Sequence, residues 1–378
     1  MSLDEATTIY TAQGAPIPLL SPDPANHLDK TSLIFGGSGS GKTTIVESIL
    51  FLLKDYVPNF LVIAPKTSDT AYRRKLPARC IKEDLSKKRI QKIWDRQFYM
   101  TQFYNTANDI NILESLFNLY PTRESVVMLE AIKRRASNML QVIETSPTLN
   151  FAQKKAQKSA IEELQIKKVK QIYKDAIRAK LEMLRADKAK LTAQQQVAIE
   201  YLDFNPRLCL IIDDCSEKFP GWMKLFKKSE VNPVEAIFYK GRWNYITLIF
   251  AAHDDKLVNT ELRKNARVTI YTTSQALVTS INRQGNGYST KEKKEAMQYA
   301  ERVFGSDDKG VKTHQKLCYV REETHPFKYL IANLYPDFTL GCQPTRRMIE
   351  KMPKRDDNLA ANPFAKDLIK KSGERFVF

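Results

Sequence analysis

The sequence is short of the residues that hold metal ions. Its 378 residues include five cysteines and four histidines, and no two cysteines form a CxxC pair. His314 and Cys318 stand close together, but a zinc site needs a second pair of ligands. We therefore expect no zinc site, and we expect reduced, mostly buried thiols, as in an intracellular protein. The cysteines are Cys80, Cys209, Cys215, Cys318 and Cys342.

Long hydrophobic runs are absent as well. The longest apolar stretches cover residues 48–53 and 246–252, far short of the ~20 residues that cross a bilayer. The first 29 residues carry acids and prolines without a basic segment followed by an apolar one, so we expect no signal peptide. The sequence contains no internal repeat. A hydrophobic content of 43% and a charged content of 27% are typical of a globular protein.

Acidic residues are outnumbered by basic ones. Sixty Lys and Arg face 43 Asp and Glu, which gives a net charge of +17. A surface of this charge attracts polyanions, because bound Lys and Arg side chains release counterions from a phosphate backbone. We favour nucleic acid as the partner over the alternative of a protein that is merely basic and soluble.

A glycine-rich segment carries the clearest chemical signal. Gly36, four further residues and then Gly41-Lys42-Thr43 form the phosphate-binding P-loop pattern. An apolar strand at residues 32–35 precedes it, and a helix with apolar residues at helical spacing follows it to about residue 54. Backbone N–H groups and the helix N-terminus would bind the phosphates of ATP. The predicted nucleotide-binding residues are Gly36, Gly37, Ser38, Gly39, Ser40, Gly41, Lys42, Thr43 and Thr44.

Two side chains of this segment have predicted roles of their own. Lys42 would reach the β- and γ-phosphates, and Thr43 would hold Mg²⁺ through its hydroxyl group. The alternative is a turn rich in glycine and serine with an incidental lysine. The fixed spacing and the flanking strand and helix favour the P-loop.

A second motif lies far downstream. Residues 208–212 form an apolar strand that ends in Asp213-Asp214, the Walker B pattern. Such a strand delivers a carboxylate to the edge of the sheet where Thr43 would hold Mg²⁺. We expect Asp213 to bind the metal and Asp214 to orient and activate the attacking water. An acid pair that caps the following helix is the alternative.

A further polar residue follows another apolar strand. The strand at residues 245–252 ends at His253, which would lie between the two motifs and sense the γ-phosphate. An ordinary loop histidine is the alternative. Histidine donates a hydrogen bond to phosphate or water in a manner that depends on its protonation.

The order of these elements predicts an α/β fold. A strand at residues 60–64 follows the P-loop helix within about 35 residues, which forms a βαβ unit and implies a mainly parallel central sheet flanked by helices. Residues 80–200 contain no strand pattern but two amphipathic helices separated by Pro147 and Asn150. We expect a long helical insertion whose basic faces contact DNA or a partner, or are simply solvated.

The C-terminal part combines both kinds of element. A strand at residues 268–271, a charged helix at residues 290–304 and an antiparallel hairpin at residues 316–334 precede a basic tail. We expect a polar leader over residues 1–30, a P-loop ATPase core over residues 31–275 and a C-terminal α+β extension over residues 276–378.

These segments together resemble a known group, the poxvirus-type viral genome-packaging ATPases of the FtsK–HerA superfamily of P-loop DNA translocases. Beyond the two motifs, the resemblance rests on residues 64–67, residues 241–247 and residues 262–265. The family usually has Gln where this chain has His253, and often Arg-His where it has Arg242-Trp243.

The resemblance implies a homo-oligomeric ring that binds ATP and Mg²⁺ and drives double-stranded DNA into a preformed capsid. Such rings complete each site with an arginine from the next subunit, for which Arg242, Arg263 and Arg267 are the candidates. Further implied partners are the portal or vertex proteins of the capsid. The implied location is the host-cell cytoplasm or nucleus at the site of virion assembly, or the virion itself.

Two other functions remain open at the level of sequence. One is a nucleotide-gated DNA-binding or assembly protein that recruits a motor without translocating. The other is a P-loop kinase for small molecules, which the long insertion and the charge of +17 fit poorly. ATP turnover with and without DNA separates the three.

Overall fold

The computed structural model describes residues 9–10, 14–66, 69–227, 230–305, 315–333, 335, 337–344 and 346–347. Thr67, His314 and the predicted basic tail beyond residue 347 lie outside this part of the chain, as do the first eight residues of the predicted leader. The chain divides into two compact units. We call residues 1–98 with 206–378 the sheet unit, and residues 99–205 the helical unit. The domain bounds at residues 30 and 275 stay a prediction.

The sheet unit is built on one eight-stranded sheet, with the order β3-β2-β4-β5-β1-β6-β7-β8. The first six strands in this order are parallel, and β7 and β8 are antiparallel. The strands are β1 (Thr31–Phe35), β2 (Asn59–Ile63), β3 (Ile81–Lys82), β4 (Leu208–Asp213), β5 (Ile246–Ala252), β6 (Val268–Tyr271), β7 (Gln315–Val320) and β8 (Phe327–Ile331). The predicted α/β fold with a mainly parallel sheet is confirmed.

Helices account for most of the remaining described chain. Among the described residues, no helix is both long enough and apolar enough to cross a membrane. The helices are α1 (Lys42–Leu53), α2 (Thr70–Arg73), α3 (Lys87–Ala107), α4 (Ile110–Phe117), α5 (Arg123–Thr145), α6 (Phe151–Ala179), α7 (Leu181–Ala186), α8 (Ala193–Glu200), α9 (Phe219–Met223), α10 (Pro233–Lys240), α11 (Thr260–Lys264), α12 (Ser274–Asn282) and α13 (Thr290–Val303).

The central strands are buried along their whole length and mostly apolar, because both faces of the sheet are covered. Every residue of β1, β4 and β5 is buried. Successive side chains point to opposite faces, so Leu33 and Phe35 pack in one hydrophobic layer and Ile34 packs in the other. A continuous apolar run is the sequence pattern of such a strand.

The antiparallel hairpin extends this same sheet. β7 pairs with β6, with Leu317 opposite Tyr271 and Val320 opposite Val268. Because β7 runs against the parallel strands, its first residues lie where β6 ends. The start of the hairpin is thereby placed at the carboxyl edge of the sheet.

The helical unit lies between β3 and β4 in the chain and is packed around its own core. Five residues join α5 to α6, and Asn150 and Gln153 form a capping box that starts α6. The amphipathic spacing of the sequence continues to Leu184 and predicts one long helix there. In the structure α6 ends at Ala179 and α7 begins at Leu181, since Lys180 leaves helical geometry at φ −111°. The core of the unit includes Leu113, Leu129, Ile172, Tyr173 and Ala198.

Candidate nucleotide site

The glycine-rich segment turns sharply between β1 and α1. Gly39 and Gly41 have φ angles of 70° and 90°, a left-handed region that side chains with a Cβ rarely adopt. A Cβ on Gly36 would lie 1.8 Å from Oγ1 of Thr272, so no larger residue fits there. These constraints explain why the turn requires glycine at these positions.

Lys42 starts α1, and its ammonium group lies inside the turn. Its Nζ donates hydrogen bonds of 2.9 Å to the carbonyl oxygens of Gly36 and Gly37, and only 7% of the residue is exposed. Burial lowers the pKa of Lys42, and the nearby carboxylates of Asp214 and Asp213 partly oppose that shift. The turn therefore contains a desolvated cation, which is suited to bind phosphate oxygens.

Thr43 and Asp213 meet beside Lys42. Oγ1 of Thr43 lies 3.4 Å from Oδ2 of Asp213, and Asp213 is only 1% exposed. Burial raises the pKa of this carboxyl, while hydrogen bonds from Tyr72 and Thr43 and the charge of Lys42 oppose the shift. A hydroxyl and a carboxylate are hard oxygen donors of the kind that Mg²⁺ prefers, so this pair fits the metal.

Asp214 and His253 form a second pair. Asp214 has a positive φ of 56°, which is uncommon for a residue with a side chain. Nε2 of His253 lies 2.9 Å from Oδ1 of Asp214, and its Nδ1 lies 3.5 Å from Nζ of Lys42. Because an ammonium group only donates, Nδ1 accepts from Lys42 and the Nε2–H group donates to the carboxylate. His253 thus connects the lysine of the first motif to the second acid of the second motif.

Two further side chains adjoin the site, and the sequence did not single them out. The hydroxyl of Tyr72 on α2 donates a 2.7 Å hydrogen bond to Oδ2 of Asp213. Lys316 on β7 comes close to the glycine turn, and its Nζ donates to the carbonyl oxygen of Thr272 at 3.2 Å. No fixed spacing relates either residue to the motifs, so no sequence pattern identifies them.

The structure corrects one predicted role. Arg263 is 8% exposed, and its NH1 group donates to the carbonyl oxygens of Asp255 and Val258 at 2.5 and 2.6 Å. It also lies 3.8 Å from the buried carboxylate of Asp255. A guanidinium held in this way within its own chain is not accessible to a neighbouring subunit, so Arg263 stabilises the α11 region instead.

The other two arginines differ in exposure. Arg267 is held by the carbonyl oxygen of Arg321 and by the carboxylate of Glu323. Arg242 is exposed, and its guanidinium lies 4.6 Å from the centre of the Trp243 ring. It precedes β5, whereas His253 follows that strand of seven residues, a separation of about 20 Å. Arg242 therefore lies at the opposite edge of the sheet from its own glycine turn.

The chain is similar in sequence to a family of ATPase domains and to proteins of a virus. Residues 28–205 match the family model of the AAA domain. The chain is 29% identical over 366 residues to the uncharacterized protein B354L of African swine fever virus from a Kenyan pig isolate, covering 92% of this chain and 95% of that protein. The B354L proteins of a Malawian tick isolate and of a Namibian warthog isolate match with the same identity and coverage.

Solved structures show a more distant likeness. The genome packaging NTPase B204 from Sulfolobus turreted icosahedral virus 2, in complex with AMPPCP, aligns with 80% of this chain and 96% of its own, at 11% identity and a TM-score of 0.34. The bacterial conjugative coupling protein TrwBdeltaN70 aligns with 90% of this chain and 92% of its own, at 12% identity and a TM-score of 0.35.

The glycine turn, the buried lysine and the acid pair lie together at the carboxyl edge of a mainly parallel sheet. The chain has the predicted P-loop NTPase fold. It is similar to the AAA domain family over residues 28–205 and to the proteins of a virus, in agreement with the predicted resemblance to viral genome-packaging ATPases.

Proposed function

We propose that this protein hydrolyses ATP and uses the energy to move double-stranded DNA into a viral capsid. The observation that carries the first part is the chain of contacts at one edge of the sheet. Lys42 contacts His253, His253 contacts Asp214, and Thr43 contacts Asp213. A site that only bound nucleotide would not need a carboxylate held by a histidine next to the phosphate-binding lysine.

Each side chain has a distinct role in this proposal. Lys42 exchanges its carbonyl partners for the β- and γ-phosphates and offsets their charge. Asp214 accepts a proton from the attacking water, and the Nε2–H group of His253 keeps the carboxylate oriented. Thr43 and Asp213 would hold Mg²⁺, which neutralises charge on the triphosphate when bound.

His253 also links nucleotide binding to the catalytic acid. Its ring contacts Lys42 through one nitrogen and Asp214 through the other. A phosphate that draws Lys42 away leaves Nδ1 without its donor, and the ring is then able to turn. This rotation alters the hydrogen bond to Asp214, so the presence of the γ-phosphate affects the group that activates water.

The coupling to DNA rests on charge and on the motif resemblance. A net charge of +17 favours contact with a phosphate backbone. The resemblance adds a ring of subunits, and the similar B354L proteins come from a virus. Arg242 fits the arginine that such a ring supplies in trans, because it is exposed and lies about 20 Å from its own site. We place this activity in the infected cell during virion assembly, with capsid proteins as partners.

ATP turnover with and without double-stranded DNA tests the proposal. We expect DNA to stimulate turnover, and we expect Lys42→Ala to abolish it because the cation that meets the phosphates is removed. Lys54→Ala is the matched control, since Lys54 follows the other end of α1 and pairs with Asp55. Nucleotide binding without turnover would support the assembly protein, and phosphate transfer to a small acceptor would support the kinase.

A further inference from the structure

Lys316 lies next to the glycine turn although it comes from a distant part of the chain. Its Cε is 3.8 Å from the position that a Cβ on Gly41 would occupy. Its Nζ donates to the carbonyl oxygen of Thr272, the residue that follows β6. The Thr272 hydroxyl in turn lies 2.5 Å from Oγ of Ser40, within the turn. Lys316 on β7 and Thr272 at the end of β6 thus flank the glycine turn on one side.

In the described part of the chain, the contacts of Lys316 are with neutral groups. Within the described part of the chain, no ion pair involves it, and its contact with Thr272 is to a neutral oxygen. Burial lowers the pKa of Lys316, and no carboxylate among the described residues opposes that shift. By contrast, Lys328 of the same hairpin pairs with Glu323 at 2.8 Å. A half-buried cation without a carboxylate is costly unless an anion binds beside it.

The position of Lys316 indicates which phosphates it would meet. In the sheet, β5 and β4 lie on one side of β1, and β6 and β7 lie on the other. Asp213 and His253 mark the first side as the place of the γ-phosphate and the attacking water. A triphosphate bound along the turn extends away from them, so its α- and β-phosphates lie toward β6 and β7, near Gly41.

We propose that Lys316 is a second cation of the nucleotide site, which binds the α- or β-phosphate from the side opposite to His253. This inference rests on the proposed nucleotide binding but not on hydrolysis. It makes Lys316 a binding residue whose contribution is the same for ADP and ATP, because both carry these two phosphates. Its effect falls mainly on affinity and less on the rate of the chemical step.

Calorimetric titration of the full-length chain with ADP tests this role. Lys316→Gln removes the charge and keeps an N–H donor on a side chain that is one bond shorter. Loss of a charge-assisted hydrogen bond to phosphate weakens ADP binding about 10- to 100-fold. Lys316→Arg keeps the charge and retains most of the affinity. In ATP turnover, Lys316→Gln raises KM more than it lowers kcat.

Lys328→Gln is the matched control, because Lys328 belongs to the same hairpin and is similarly shielded but is paired with Glu323. We expect its ADP affinity to equal that of the parent. ADP binding by Lys316→Gln within twofold of the parent would overturn the inference while leaving the ATPase proposal intact. An equal loss of ADP affinity in Lys316→Gln and Lys316→Arg, with a lowered unfolding temperature in both, would overturn the inference in favour of a structural role for Lys316. A parent chain that binds no ADP would overturn both proposals.

Discussion

The hydroxyl of Tyr72 donates a hydrogen bond of 2.7 Å to Oδ2 of Asp213, and both residues are almost completely buried. Burial and the adjacent carboxylate raise the pKa of Tyr72 well above its usual value of 10, so the phenol stays protonated and remains a donor. The same carboxylate oxygen lies 3.4 Å from Oγ1 of Thr43. Tyr72 therefore orients Asp213 toward the proposed metal position from the side of α2.

Replacing Tyr72 with phenylalanine removes this donor and keeps the ring. Loss of a partner that orients a metal ligand weakens metal binding about 10- to 100-fold. We expect the Mg²⁺ concentration for half-maximal ATP turnover to rise by that factor, as measured by Mg²⁺ titration. Tyr319→Phe is the control, because its hydroxyl donates to Glu292, away from the site. An unchanged Mg²⁺ requirement would show that Asp213 needs no such support.

Asp214→Asn separates nucleotide binding from hydrolysis. The amide cannot accept the proton of the attacking water, so we expect kcat to fall about 10²- to 10⁴-fold. Affinity for a non-hydrolysable ATP analogue should change little, because Lys42 and the turn remain. Glu217→Gln, an exposed acid three residues away, serves as the control. Hydrolysis at the parent rate would rule out Asp214 as the base.

Arg242→Ala tests whether neighbouring subunits complete each site. We expect an oligomer larger than a dimer with an ATP analogue and DNA, and a loss of about 10³- to 10⁵-fold in turnover, as for other arginines supplied in trans. Mixing Arg242→Ala with Lys42→Ala should restore part of the activity, because some interfaces combine an intact lysine with an intact arginine. Arg302→Ala, an exposed arginine on α13, is the control. A fully active monomer would rule out the proposed ring of subunits.

Arg263→Ala provides a contrast to this experiment. Its guanidinium is bonded to carbonyl oxygens inside its own chain. We expect this variant to unfold at a lower temperature than the parent. We also expect that mixing it with Lys42→Ala restores no ATP turnover.

His27 makes the stability of the sheet unit depend on pH. Its Nδ1 lies 2.8 Å from Oγ of Ser32, and burial, with help from the charge of Lys30, lowers its pKa from 6.5 to about 4. Between these values the unfolded chain binds the proton and the folded chain does not. The stability from the neutral ring is therefore complete above pH 6.5 and is lost as the pH falls toward 4.

This linkage has a measurable size. Lowering the pH from 7 to 5 should cost about 2 kcal/mol through His27 alone, at roughly 1.4 kcal/mol per pH unit. Urea unfolding at both pH values measures the free energy of unfolding. Its loss on lowering the pH should be smaller in His27→Gln than in the parent by this amount. His325→Gln, at an exposed position, should keep the full dependence of the parent. An equal pH dependence of stability in His27→Gln and in the parent would contradict the lowered pKa of His27.

DNA binding should be independent of sequence and steeply dependent on salt. Contacts to phosphates carry no base information, so duplexes of equal length and different sequence should bind alike. A protein with about six phosphate contacts loses on the order of a thousandfold in affinity between roughly 50 and 200 mM salt. Fluorescence anisotropy across a salt series measures this slope. A flat slope, or strong preference for one sequence, would favour the assembly protein over the motor.

Some parts of the site could be located from the sequence because they depend on short segments. Lys42 and Thr43 follow β1 after the short glycine turn, and Asp213 ends β4. Parallel strands end at the same edge of a sheet, so once the βαβ pattern was recognised these residues had to lie near one another. His253 reaches the same edge at the end of β5.

Arg263 shows where such reasoning fails. A basic residue in a short polar helix is usually exposed, yet here it is buried against Asp255. Its burial depends on a loop carbonyl from Val258 and on the surrounding fold, and neither is encoded in the local pattern. The C-terminal end of α6 also escaped prediction, because the amphipathic spacing continues through Lys180 although the helical backbone does not.

The sequence by itself determined the parallel sheet, the P-loop and the acid pair, because each depends on contiguous residues with a fixed spacing or periodicity. Only the tertiary structure brought Tyr72 to Asp213 and Lys316 to the glycine turn. Both contacts join segments that are distant in the chain, and Tyr72 and Asp213 lie 141 residues apart. The first depends on how α2 packs, and the second depends on the antiparallel direction of β7, since a parallel strand would have started at the far edge of the sheet.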